Sequence, residues 1–202
     1  MEPFNIYLTG VGGQGIGLLS EVLLRAADHA GLPVKGVDTH GLAQRGGIVV
    51  SRLRLGERVY SPLIPEGEAD LVVALERHEA LRGVNTALKD GGILIYYDTA
   101  WQPLEVRLKK AQPVTEDMIA ATCRLRRIRV IKVHKPGLTE ARMQNIVVLA
   151  HISRHGLVPG VTAAHYKKAM DDLMSGAMLA KNLALFEAEI RDQKTGDRRR
   201  EA

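Results

Sequence analysis

The chain has 202 residues, of which 46% are hydrophobic and 25% charged, with a formal net charge of +5. That length fills one aliphatic core and gives no reason to divide it into two full domains. One tryptophan, five tyrosines and two phenylalanines are too few for a base-stacking platform. Much of the positive excess sits in "CRLRRIRVIK" and in the tail "KTGDRRREA", without a nucleic-acid motif beside it, so no nucleic-acid partner is expected. A single cysteine, Cys123, excludes an internal disulfide and cannot by itself hold zinc or an iron-sulfur cluster. No run is continuously apolar over a membrane-spanning length, and "MEPFNIYLTG" has no basic segment leading into an apolar one. The expectation is a cytoplasmic protein without a membrane partner.

In chain order, "FNIYLTG" is short, β-favouring and closed by glycine, which predicts a buried first strand. Apolar residues from Ile16 to Ala30 then recur at three- and four-residue spacing until Gly31 and Pro33, a helix. "PVKGVDTH" reads as a second strand completing a βαβ unit. "GGIVVSRLRLGERVYSPL" alternates Val50, Leu53 and Leu55 with Ser51, Arg52 and Arg54 around Gly56-Glu57, the pattern of a β-hairpin with its turn there. "LVVAL" predicts a buried strand, "ERHEALRGVNTALKDGG" a helix ending at glycine, and "ILIYYD" another buried strand. From Thr99 to Arg129 the periodicity is poor, with an irregular connection and a short helix near "TEDMIAATCRL". "RIRVIKV" is the last strand. "LTEARMQNIVVLAHISRHG" predicts a helix capped by Thr139 and stopped at Gly156, and "VTAAHYKKAMDDLMSGAMLAKNLALFEAEI" one or two more. The sum is an α/β chain, three-layer α/β/α with a mostly parallel sheet, an inserted β-hairpin and C-terminal helices. Residues 1–190 form one domain in this reading, and 191–202 a disordered charged tail.

Ligands of parallel sheets bind beyond the carboxyl ends of the strands. There the first strand delivers the loop "GVGGQGIG", in which Gly10, Gly12 and Gly15 match G-x-G-x-x-G and, with Gly13 and Gln14, bring backbone N–H groups and a helix N-terminus to an anion. The same glycines also serve a turn and close helix packing. The second strand delivers Asp38, placed where a Rossmann protein binds the ribose of NAD, then Thr39 and His40. The fourth and fifth segments deliver Glu76 and Asp98. Asp38 is followed by "THGLAQRGG", too polar and glycine-rich for a plain nucleotide fold. In it, Gln44 and Arg45 offer an amide and a guanidinium for a carboxylate or phosphate, and His40 a general acid or base. His40, Gln44 and Arg45 are the candidates for catalysis. Gly10, Gly12, Gly13, Gln14, Gly15, Asp38 and Glu76 are those for cofactor binding. His151 and His155 have a metal-compatible spacing but lack the H-E-x-x-H glutamate and a third ligand, and no metal site is expected. Cys123 has arginines nearby, yet one thiol in a poorly patterned segment reads as structural.

Together, "GVGGQGIGLLSEVLLRAA", "VKGVDTHGLAQRGGIVVSRLRLG", "VYSPLIPEGEADLVVALE" and "MQNIVVLA" resemble the gamma-type domain of 2-oxoacid:ferredoxin oxidoreductases, over about Ile6 to Phe186. Within that family the likeness is to the small (beta) subunits of the indolepyruvate enzymes. "HGLAQRGG" with "SPLIPEGEAD" is the specific pair of motifs. The resemblance implies a subunit, inactive alone, of an enzyme that converts a 2-oxoacid, here an aryl pyruvate such as indolepyruvate, and coenzyme A to an acyl-CoA, carbon dioxide and reduced ferredoxin. It implies a large alpha subunit as partner, which carries thiamine diphosphate and the [4Fe-4S] clusters, and ferredoxin reached through the complex. On that view this chain holds no tightly bound cofactor, and coenzyme A is a co-substrate. The chain departs from the family pattern at "HKPGLTEARMQN" and "VVLAHISRHG". Two other readings stand beside this one, a self-sufficient NAD(P)-binding Rossmann-like oxidoreductase and a non-catalytic assembly module.

Overall fold

A computed structural model describes residues 2–40, 47–100, 112–138 and 140–191. Six strands form one sheet in the order β2-β3-β1-β4-β5-β6. They are β1 (Phe4–Val11), β2 (Val34–His40), β3 (Ile48–Leu55), β4 (Ala69–Ala74), β5 (Leu88–Tyr97) and β6 (Arg129–Val133). β1, β4, β5 and β6 pair in parallel. β3 runs antiparallel to both of its neighbours, β1 and β2, so β1 and β2 point the same way with β3 between them. The helices among the described residues are α1 (Ile16–His29), α2 (Arg77–Thr86), α3 (Glu116–Leu125), α4 (Gln144–Arg154), α5 (Ala163–Leu173) and α6 (Gly176–Arg191), with a 3-10 turn at Ala141–Met143 before α4.

Alternation along the strands divides the core. Ile6 and Leu8 of β1, Leu53 and Leu55 of β3, and Leu71 and Val73 of β4 face α1, α4, α5 and α6 in the larger apolar cluster. Tyr7, Val72, Ala74, Leu94 and Tyr96 face the smaller cluster with Ala80, Val84, Ile119 and Cys123 from α2 and α3. This is the three-layer α/β/α arrangement expected, with a mostly parallel sheet and helices at the C-terminal end. No described helix is long and apolar enough to cross a membrane.

Three boundaries differ from the sequence reading. The hairpin is β2–β3, and the strand after Gly56 is β4, which does not pair with β3. The alternation of Val50 to Leu55 was legible, but the strand pairs backward onto β2 and β1 rather than forward across Gly56-Glu57. The helix that begins at Arg77 ends at Thr86, and Leu88 already pairs with Ala69 in the sheet. Arg126 holds that corner, its guanidinium donating to the carbonyls of Val84 and Leu88. The helix read from "LTEARMQNIVVLAHISRHG" begins only at Gln144, after the 3-10 turn, whereas the segment after Val161, read as one or two helices, is two, α5 and α6. Helix α4 stops at Arg154, and its last turn closes through Leu157 N–H onto the Ile152 carbonyl around Gly156. Thr139, expected as its cap, and the tail beyond Arg191 lie outside the described residues, as does the connection at 101–111.

Phe186 of α6 is fully buried against Tyr166 of α5, ring centroids 6.2 Å apart. Removing that ring leaves a cavity among the C-terminal helices. Phe186→Ala is expected to lower unfolding free energy by about 3–5 kcal/mol in urea denaturation.

Candidate functional site

The parallel course of β1, β2, β4 and β5 brings their carboxyl ends to one edge of the sheet, as the sequence implied. The centre of that edge is the turn from β1 into α1. Gly15 caps the helix at φ 83° with no side-chain cap bond. A Cβ on Gly15 would stand 2.5 Å from Asn145 Nδ2, and one on Gly10 2.8 Å from Gln14 Oε1, so both positions exclude any side chain for steric reasons.

Buried amides hold the turn. Gln14, 1% exposed, accepts the Val11 N–H at Oε1 (2.8 Å) and donates from Nε2 to the Leu75 carbonyl (3.3 Å). Gln144 donates to the same carbonyl at 3.3 Å. Asn145 donates to the Gly15 carbonyl (3.2 Å) and accepts the Ile146 N–H (2.7 Å). Gly12 N–H reaches the Gly47 carbonyl at 2.9 Å, tying the loop to the start of β3.

The N–H groups of Gly13, Gly15, Ile16, Gly17 and Leu18 have no acceptor among the described residues. All five residues line a cleft of about 940 Å³, a ligand-sized volume. Open N–H groups at a helix N-terminus favour an anion. The opposite wall comes from the 3-10 turn, α4 and α6, and includes Arg142, Asn145, Met178, Lys181 and Asn182. Glu140 sits on the rim between two cations, with Lys181 Nζ at 2.7 Å and Arg142 Nη2 at 2.6 Å. The hydrogen bond from Lys181, then that from Arg142, holds its carboxyl below the usual carboxylate range. Asn182 is buried; its Nδ2 donates to Met174 Sδ (3.2 Å), and its Oδ1 has no donor among the described residues.

The other candidates separate. Gly12, Gly13 and Gly15 line the cleft, whereas Gly10 and Gln14 support the loop from behind. Asp38 accepts from Ser20 Oγ of α1 at 3.2 Å. Because β3 lies between β1 and β2, Asp38 stands two strand spacings, about 10 Å, from the strand bearing the glycine loop. A Rossmann acid sits on the adjacent strand, so this geometry opposes the NAD(P) reading. Glu76 lies beneath the surface rather than in the cleft. It caps α2 by accepting the Glu79 N–H and meets His78 Nδ1 at 3.2 Å, and burial raises its pKa. Asp98 pairs with Arg77 at 2.5 Å, an ion pair whose guanidinium keeps its carboxyl below the usual range. His40 ends β2, while Gln44 and Arg45 lie outside the described residues.

His151 and His155 lie with ring centroids 6.0 Å apart. His151 is engaged by Arg154 at 3.2 Å and Glu189 at 3.6 Å, and burial, then Arg154, lowers its pKa to about 4. Among the described residues no group of three or more His, Cys, Asp or Glu is placed to hold a metal ion. Cys123 is 1% exposed, and burial outweighs Arg126 to raise its thiol pKa. Sequence reasoning passed over Glu140, Arg142, Asn145, Lys181 and Asn182. Adjacent Gln144 and Asn145 at the head of the apolar run "IVVLA" were the available signal, since amides there need buried partners.

Residues 5–191 match the profile of the family described as pyruvate ferredoxin/flavodoxin oxidoreductase. The chain belongs to that family. It is 34% identical over 186 residues to indolepyruvate oxidoreductase subunit IorB of Archaeoglobus fulgidus, covering 89% of this chain and 90% of that one. It is 41% identical over 117 residues to the IorB subunit of Thermococcus kodakarensis, a stretch spanning 58% of this chain and 57% of that relative. The fold superposes on 2-oxoglutarate:ferredoxin oxidoreductase from Magnetococcus marinus with a TM-score of 0.66 at 20% identity, covering 94% of this chain and 30% of that one. The fold thus recurs as part of a longer polypeptide.

Two outcomes follow. Gly15→Ala meets both a positive φ and the Asn145 amide, whereas Gly13→Ala at φ 100° meets open space. Thermal denaturation is expected to show the larger loss for Gly15→Ala, beyond the roughly 1–2 kcal/mol of left-handed strain that both share. For His151, the unfolded chain takes up a proton as pH falls through about 6.5 while the folded protein does not until about 4. Stability is therefore lost on descending from pH 6.5 to 4. His151→Gln is expected to flatten that slope in denaturation measured across the window.

Proposed function

We propose that this chain is the small subunit of a cytoplasmic, indolepyruvate-type 2-oxoacid:ferredoxin oxidoreductase, with residues 1–190 acting as one domain. Its partner is a large subunit bearing thiamine diphosphate and iron-sulfur clusters, through which electrons reach ferredoxin. The observation that carries the site assignment is the row of open N–H groups from Gly13 to Leu18 along the cleft. The IorB relatives support the substrate class. The Magnetococcus enzyme, whose structure contains 2-oxoglutarate, coenzyme A and succinyl-CoA, supports coenzyme A as co-substrate.

The cleft suits a phosphate-bearing co-substrate. Backbone N–H groups of Gly13, Gly15 and Ile16 would take an anionic group at the helix N-terminus, with Lys181 and Arg142 on the facing wall. Coenzyme A supplies the thiol that accepts the acyl group. This chain binds and orients it, and the redox chemistry belongs to the partner, because one buried cysteine cannot ligate a cluster. Gln44, Arg45 and His40 complete the reading as candidates for the oxoacid side.

Co-expression with a large subunit of this type is expected to give a complex that reduces ferredoxin only when both an aryl pyruvate and coenzyme A are present. Lys181→Ala is expected to raise the KM for coenzyme A about ten-fold while leaving that for the oxoacid unchanged. No complex, or turnover independent of coenzyme A, overturns the reading. NADH binding by the isolated chain in calorimetry would do the same in favour of the dinucleotide alternative.

A further inference from the structure

The two helical layers do not cover the sheet equally. On the side of the smaller core, α2 packs on β1, β4 and β5, and α3 on α2 and β6, whereas the helix that packs on β2 and β3 is α1, from the opposite side. The register shows what the half left open by the described helices carries. Arg52 lies between Val37 and Tyr7, Arg54 between Lys35 and Asn5, and Val50 between Thr39 and Thr9, each row on one face. Ile48, at the end of β3 on the same face, is 40% exposed.

The loop after β3 extends this surface. Arg54 Nη1 donates to the carbonyls of Ser61 (3.2 Å) and Leu63 (3.1 Å), fixing the loop over the end of the strand. Tyr60 is then 87% and Leu63 61% exposed. The Arg52 guanidinium lies 5.5 Å from the Tyr7 ring centroid and donates to Thr39 Oγ1. Arg52, Arg54 and Lys35 form no ion pair among the described residues, where most of the other arginines do. Exposed apolar side chains at the two ends of a row of cations without ion-pair partners mark a surface made for a partner.

We infer that the open face of β2 and β3, with the Tyr60–Leu63 loop, docks an acidic surface of the large subunit that is flanked by apolar side chains. The inference rests on the subunit reading above. Charge selects the occupant. A second copy would set Lys35, Arg52 and Arg54 against their own kind. The chain's own segments at 41–46, 101–111 and 192–202 each carry more basic than acidic residues, so none of them complements the face either. A carboxylate-bearing partner supplies the opposite charge that these three side chains lack within the described residues.

Lysine acetylation read by mass spectrometry tests the assignment without a mutation. Lys35 is expected to be labelled freely in the isolated chain and protected in the complex, while Lys168 on α5 stays labelled in both. Lys35→Glu and Leu63→Asp, both at exposed positions, are expected to weaken assembly at least ten-fold with unchanged melting temperature, and Lys168→Glu to leave it intact. A complex in which Lys35 remains labelled overturns the face assignment alone, whereas failure of the wild-type chains to assemble overturns the subunit reading. Protection of Lys35 in the dilute isolated chain means one of its own segments lies there, and protection that grows with concentration means a second copy. Either result overturns the inference.

Discussion

The carbonyl of Leu75 receives two buried amides, Gln14 from the glycine turn and Gln144 from the head of α4, and the cleft depends on that junction. Leu75 lies just past β4, so one acceptor fixes the end of a central strand, the loop after its neighbour and a helix more than sixty residues on. Each amide is too deeply buried to find water, and losing the acceptor would strand both, at about 1–3 kcal/mol for each group. Such an arrangement favours one geometry over nearby alternatives, because a shift of the turn breaks several bonds together. Asn145 extends the junction to Gly15. The open N–H groups beyond Gly15 are thereby presented by a backbone whose other polar groups are already satisfied.

Insertion of β3 between β1 and β2 sets the character of the edge. In a doubly wound dinucleotide fold the second parallel strand sits beside the first, and its terminal acid reaches the ligand held by the glycine loop. Here a strand of opposite direction intervenes, which moves Asp38 away and brings Gly47 to the loop through Gly12. The familiar glycine spacing is kept while the surroundings that would make it a ribose site are replaced. The same strand widens the sheet beyond what α2 and α3 cover, so one topological change produces both the altered cleft and a face without a described helix on it.

Much of this fold was legible in the residues. Apolar runs placed β1, β4 and β6 within a residue or two, and the three- and four-residue spacing after Ile16 gave α1, because those signals report which side of an element is buried. Alternation in β3 gave its two faces but not its neighbours, since a period of two is the same whichever strand lies alongside. The end of α2 was missed because "ALKDGG" has ordinary helix formers, and Arg126, distant in sequence, fixes that corner. Glu76 was read as a ligand-side acid from its place after a strand, the place that also makes it a helix cap. The loop side of the cleft was visible in its glycines. The facing wall was not, because Arg142, Lys181 and Asn182 are ordinary polar residues whose convergence is set by how α4 and α6 pack.

The burial of Cys123 has a practical consequence. Its thiol sits in the smaller core with its pKa pushed up, so little thiolate forms at neutral pH and reagents have no path to it. Thiol alkylation would thus leave the folded chain unmodified, and labelling of Cys123 by iodoacetamide would report loss of the smaller core. One cysteine thus serves as a built-in probe of whether the sheet and its smaller helical layer are intact.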